Sequence, residues 1–177
     1  MRGFNLKRLK FVDESGVNLA MTGLFGRAPR GERVVGSAPQ NYGSNLTMLA
    51  SLAVSGLDAL MTIQGPTDGE VFRLYVEQLL CPSLVQGDIV VVDNLGAHKV
   101  AGVREAIERC GARLIYLPPY SPDLSPIEKC WSKIKTFLRA IGARTYEALE
   151  GAIEGAIATI TESDALAWFA HCGYLVN

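Results

Sequence analysis

The chain has 177 residues, 49% of them hydrophobic and 20% charged, with a net charge of −1. Its length suits one domain with a substantial core, and its charge gives no global argument for a polyanionic partner. No apolar run reaches the roughly 18–20 residues of a bilayer span, and MRGFNLKRLKFVDE has basic residues without an apolar stretch, so neither an anchor nor a signal peptide is expected and a cytoplasmic location follows.

Cys81, Cys110, Cys130 and Cys172 are scattered. They form no CxxC pair and stand at no finger spacing from His98 or His171, which points to free thiols instead of structural zinc or disulfides. Charge is unevenly spread. Residues 1–144 carry all 17 Lys and Arg against 13 acids, a balance of +4, whereas 145–177 carry five acids and no Lys or Arg.

Residues 8–13, RLKFVD, read as a strand ending in an acidic pair. Residues 16–45 are rich in Gly, Arg, Pro and Asn, and GRAPRGERVVG suggests a short strand between turns. Residues 46–56 and 58–64 read as two strands joined at Gly56 and Leu57. Thr67 is a good N-cap for a helix with Val71, Leu74, Tyr75 and Leu79 at helical spacing. DIVVVD at 88–93 is a β-branched run, as in a strand buried on both faces. Residues 100–111 form an amphipathic helix stopped by Gly111; 113–119 is a strand halted by two prolines. A helix over 126–142 starts at Pro126 and ends at Gly142, and helices over 145–160 and 163–173 complete a helical tail. Strands first, then alternating helix and strand, give an α/β mixed sheet with helices packed on it.

Two strands end in an aspartate, Asp13 and Asp93. A turn cap is the ordinary explanation for each, yet a carboxylate closing a buried run is costly unless compensated. Adjacent strands can bring both to one sheet edge, where a hard divalent cation would compensate them. Glu128 is the third candidate. Ser125-Pro126-Ile127-Glu128 fits a capping box with Ser125 as N-cap; equally, a first-turn glutamate can point back at the strand ends, kept ionised by the helix dipole.

The segments FVDESGVNLAMTGLFGRAPRGERVVG, VVVDNLGAHK and YLPPYSPDLSPIEKCWSKIK, in this order, resemble the catalytic blocks of mariner-type transposases, in particular the bacterial insertion-sequence branch, the IS-six-thirty family. The resemblance spans roughly residues 8–145, and 34 residues lie between Asp93 and Glu128, the spacing of the aspartate-aspartate-glutamate version. It implies a ribonuclease H-like fold, with antiparallel opening strands, then parallel strands, and helices on both faces. Asp13, Asp93 and Glu128 correspond to the triad that holds Mg²⁺ or Mn²⁺, two ions, for DNA strand cleavage and transfer. The family often has Asn where this chain has Ser125, and both cap helices well.

Glu14 faces the other side of an extended strand and stays outside the triad. Asp123 organises the PYSPDLSP turn, and Trp131, one helical turn from Glu128, packs in the core. Asn94, His98 and Lys99 lie near the site as DNA-contact candidates. Lys129, Lys133 and Lys135, on the Glu128 helix with Arg139, are further candidates for phosphate contact.

The resemblance further implies DNA partners (transposon ends and a target, the dinucleotide TA) and a homodimer on DNA. The chain begins about twelve residues before Asp13, without the helix-turn-helix region of a complete transposase; residues 1–177 are expected to be a single catalytic domain, either a fragment or the product of a split gene whose other frame supplies that region. Bound to DNA, it would associate with the bacterial nucleoid. Two alternatives share the acids: another ribonuclease H-like nuclease, against which the PDLSPIE block argues, and an inactive remnant kept as a DNA-binding or dimerisation module, which would be expected to lose an acid.

Overall fold

The computed structural model describes residues 5–174. Five strands form one mixed sheet in the order β3-β2-β1-β4-β5. Its centre is β1 (Leu9–Val17), which pairs antiparallel with β2 (Leu46–Ala53); β2 in turn pairs antiparallel with β3 (Gly56–Gln64). On its other side β1 pairs parallel with β4 (Ile89–Val92), and β4 with β5 (Arg113–Tyr116), also in parallel.

Strand alternation sends side chains to two cores. Phe11, Met48, Leu52 and Val91 pack under α4 (Pro126–Ile141), α5 (Tyr146–Ala158) and α6 (Glu162–His171). Val12, Leu49, Val90, Val92 and Leu114 pack under α1 (Gly69–Tyr75) and α3 (Val103–Arg109). The expected mixed sheet with helices on both faces is thus what forms. Helix α4 buries Ile127, Cys130, Trp131, Ile134 and Leu138 along one stripe, as helical spacing requires. Each large apolar side chain there contributes about 1.5–3 kcal/mol of burial. Gly142 ends the helix with φ 62°, and its N–H donates to the Leu138 carbonyl at 2.9 Å. The C-terminal helices are no detached tail: Leu149, Ile153, Ala156 and Phe169 share the core of α4, and Phe169 meets Phe11 edge-on at 5.3 Å.

Several elements differ from expectation. Strand β1 does not end at Asp13 but runs to Val17, because β2 keeps pairing with it after β4 has stopped. Among the described residues no strand forms in 18–45; Leu24, Phe25, Val34 and Val35 are exposed there and GRAPRGERVVG has no partner strand. The hairpin turns at Val54 and Ser55, with Gly56 (φ 121°) already in β3. Asp68, not Thr67, caps α1, its Oδ1 accepting from the amides of Glu70 and Val71 at 3.0 and 2.9 Å. The buried stripe is Phe72, Tyr75, Val76 and Leu80, each one residue beyond the expected position and still at helical spacing; the helix then widens into a π-helical turn over Val76–Leu80 and runs on into a last turn, α2 (Cys81–Ser83). A 3₁₀ turn, Gly96–Lys99, precedes the shorter α3. No helix among the described residues is long and apolar enough to cross a membrane.

Candidate active site

Pairing of β1 with β4 ends at Val12 opposite Val92. The next residue on each strand is an acid, Asp13 and Asp93, so the parallel register itself sets the two side by side. Both line a cleft of about 330 Å³ together with Glu128 and Asn94. Its far wall is the loop from Leu117 to Pro122, turned away from β5 by Pro118 and Pro119.

Glu128 reaches this cleft from the first turn of α4. The capping box expected there does not form: the Ser125 hydroxyl makes no cap bond, and its carbonyl accepts from the Glu128 amide at 3.2 Å. Ser125 is buried in the wall of the cleft, which takes its hydroxyl away from the helix end, while Glu128 stays exposed.

Asp13 is half-buried, and its carboxyl is pushed up to about 7, first by burial and then by the negative charges of Glu128 and Glu14. Trp131 opposes this, donating its indole N–H to Asp13 Oδ2 at 3.0 Å. Trp131 is a core residue as expected, but this bond to the site was not legible beforehand; its place one turn beyond Glu128 was the available signal.

Asp93 is held differently. Its Oδ1 accepts from the Leu95 amide at 3.0 Å and meets His98 Nδ1 at 2.5 Å. The other ring nitrogen, Nε2, lies 2.9 Å from Glu14 Oε2. Burial alone would lower the imidazole's pKa, but hydrogen bonds to Asp93 and Glu14 and their charges outweigh it and raise it to about 9. Burial likewise works against ionised Asp93, and the His98 and Leu95 bonds prevail, holding its carboxyl below the ordinary value.

The expectation that His98 contacts DNA is therefore corrected. Its side chain is fully buried, stacked 4.2 Å from the Phe72 ring, because two acids and an aromatic ring enclose it. Lys99 is exposed and lies 5.6 Å from the Tyr116 ring centroid. Asn94 is half-buried in the cleft wall. Lys129 is exposed and Lys135 half-buried. Lys133 is committed elsewhere: its ammonium bonds Asp164 at 2.7 Å and the Thr159 carbonyl at 2.9 Å, which leaves it poorly placed for the expected phosphate contact. Asp123 is exposed in its turn. Glu14, set aside on alternation grounds, does face away from Asp13, and that is what brings it to His98.

The donor set in the cleft is carboxylate oxygen, suited to a hard divalent cation. Asp13's upward shift, caused first by burial and then by the neighbouring negative charges of Glu128 and Glu14, is one that such a cation would relieve. With the side chains as placed, no three acids, imidazoles or thiols among the described residues already converge on one point. Glu128, long and exposed, is the member with freedom to move.

Solved structures of the Mos1 mariner transposase share the fold. The paired-end complex with Mn matches with a TM-score of 0.74 at 17% identity, over 98% of this chain and 54% of that one. The strand transfer complex matches at 0.72 and 16%, over 95% and 51%. The isolated Mos1 catalytic domain matches at 0.62 and 15%, over 95% and 76%. The chain thus spans about half the length of the transposase chains in those complexes. Among curated proteins none matches. The family model of DDE superfamily endonucleases covers residues 8–150, most of the chain, and the chain belongs to that family.

Proposed function

We propose that this domain is the catalytic core of a transposase, cutting DNA and joining the freed 3′ end to a target in cut-and-paste movement of a bacterial insertion sequence of the IS-six-thirty branch. The carrying observation is that three acids from β1, the end of β4 and the start of α4 line one cleft. The PDLSPIE block and the interval between Asp93 and Glu128 support the finer placement.

Asp13, Asp93 and Glu128 hold Mg²⁺ or Mn²⁺, two ions, in keeping with Mos1 complexes solved with Mn and with Mg. Held by these carboxylates, the ions would supply the positive charge that polarises the scissile phosphate and favours the ionised form of the attacking water or 3′-hydroxyl. The chain's own part is to present oxygens. Asp13 gives up its proton near neutrality, and Asp93 offers Oδ2, since both of its donors fall on Oδ1. Glu128 swings in from the helix end, where the dipole favours its charge. No side-chain nucleophile is required.

Asn94, in the cleft wall, and Lys99, Lys129 and Lys135 are the residues for contacts to the DNA backbone. The partners are transposon ends and a TA target, with a second copy of the chain on the same DNA. The protein works in the cytoplasm at the nucleoid. The test is Mn²⁺-dependent nicking of duplex DNA, abolished separately by Asp13→Ala, Asp93→Ala and Glu128→Ala. Full activity of any one of them overturns the assignment.

A further inference from the structure

We propose that His98 and Glu14 are positioning residues that orient the Asp93 carboxylate for its ion, an inference that rests on the function proposed above. Asp93 follows the last residue of β4, where a side chain is no longer fixed by neighbours on both sides. Two donors on the same oxygen remove that freedom: the Leu95 amide at 3.0 Å and His98 Nδ1 at 2.5 Å. The imidazole is itself fixed at both nitrogens and against one ring, and the backbone that carries it is held as well. Glu14 Oε2 holds Nε2 at 2.9 Å, Phe72 packs on the ring face at 4.2 Å, and the Tyr116 hydroxyl donates to the His98 carbonyl at 3.2 Å. A ring flip would leave a polar group buried without a partner, a penalty of about 1–3 kcal/mol.

The consequence is that β1 supplies the site twice. Asp13 enters the cleft directly, and Glu14, on the opposite face of the same strand, acts through His98 on the acid of the neighbouring strand. Partners that orient a metal-ligating group generally matter about 10-fold to 100-fold in metal affinity.

The test is Mn²⁺ titration by calorimetry on the whole chain, with melting curves to verify folding. Glu14→Ala is expected to weaken Mn²⁺ binding about 10-fold in a chain that still folds cooperatively, its melting temperature lowered by a few degrees because His98 Nε2 loses its buried partner. Glu14→Gln, whose amide can still bond Nε2, is expected to recover most of it. His98→Ala loses as much or more, and adding Glu14→Ala to it costs much less than Glu14→Ala costs alone, because the ring through which Glu14 orients Asp93 is already gone and only its charge near Asp13 is left to remove. Should His98→Ala fail to fold, the two Glu14 variants decide. Equal Mn²⁺ affinity in wild type and Glu14→Ala, or equal loss in Glu14→Ala and Glu14→Gln, overturns the positioning role and leaves the proposed function standing. A wild-type chain that binds no Mn²⁺ defeats the proposed function itself.

Discussion

Trp131 Nε1 donates to Asp13 Oδ2 across 118 residues of sequence, tying the helix that carries Glu128 to the strand that carries the first acid. The indole is buried while the carboxyl is half-buried, so the bond aims one oxygen and partly offsets the charge crowding on Asp13. Trp131→Phe keeps an aromatic ring in the core, with some loss of packing, and removes the donor. We expect about 1 kcal/mol of lost stability, a further rise in the Asp13 pKa, and Mn²⁺-dependent nicking reduced about 10-fold at neutral pH. Nicking rates across pH check this: an unchanged profile shows that the indole only packs.

Asp13 also sets function against stability. At pH 8 without divalent ions it is ionised beside Glu128 and Glu14, in a position whose burial already disfavours charge. Asp13→Asn keeps the shape and removes the charge. The variant should melt about 2–4 °C higher than wild type in the presence of a chelator, yet show no nicking. Differential scanning calorimetry with and without Mn²⁺ measures both halves; a lower melting temperature than wild type under chelation refutes the crowding argument.

How far these relationships could be read in the sequence depends on how local their causes are. KFVD and DIVVVD declare buried strands meeting an acid, and side-by-side placement of Asp13 and Asp93 follows from a parallel register that such strands adopt. Strict alternation along β1 correctly turned Glu14 away from Asp13, but nothing local says that the 3₁₀ turn Gly96–Lys99 folds His98 back beneath that strand. The Ser125 capping box was a sound local inference defeated by a tertiary one, since burial of Ser125 in the cleft wall withholds its hydroxyl. The stripe Phe72, Tyr75, Val76 and Leu80 keeps the helical period but lies one residue beyond the expected set, because two neighbouring apolar faces share that spacing and only packing chooses between them.

Protonation gives an independent handle. In the folded chain Asp13 titrates near 7 against an ordinary 3.8, and His98 near 9 against 6.5. Both values are raised, so between them the folded state binds more protons than the unfolded one. The stability that Asp13 contributes is complete below about pH 4 and is lost as pH rises through 7; that of His98 is complete below about 6.5 and lost through 9. The metal-free melting temperature should therefore fall from pH 5 to pH 9, and Mn²⁺ affinity should drop as pH falls below 7, where protons compete for Asp13. A melting temperature that climbs steadily over the same range contradicts these assignments.

The two lysines of α4 nearest Glu128 make a final contrast. Lys129 is exposed beside the site, whereas Lys133 bonds Asp164 and the Thr159 carbonyl, and that bond, with Thr161, holds the Asp164 carboxyl down at about 2. If the cleft is where DNA lies, Lys129→Ala should weaken DNA binding and lower the slope of log affinity against log salt by about 1. Lys133→Ala should leave that slope unchanged and instead loosen α6 from α4, a small loss for a partly exposed ion pair. Salt-dependent fluorescence anisotropy on a short duplex separates the two. A reduced slope in Lys133→Ala with none in Lys129→Ala would mean that DNA approaches from the α6 side, away from the three acids.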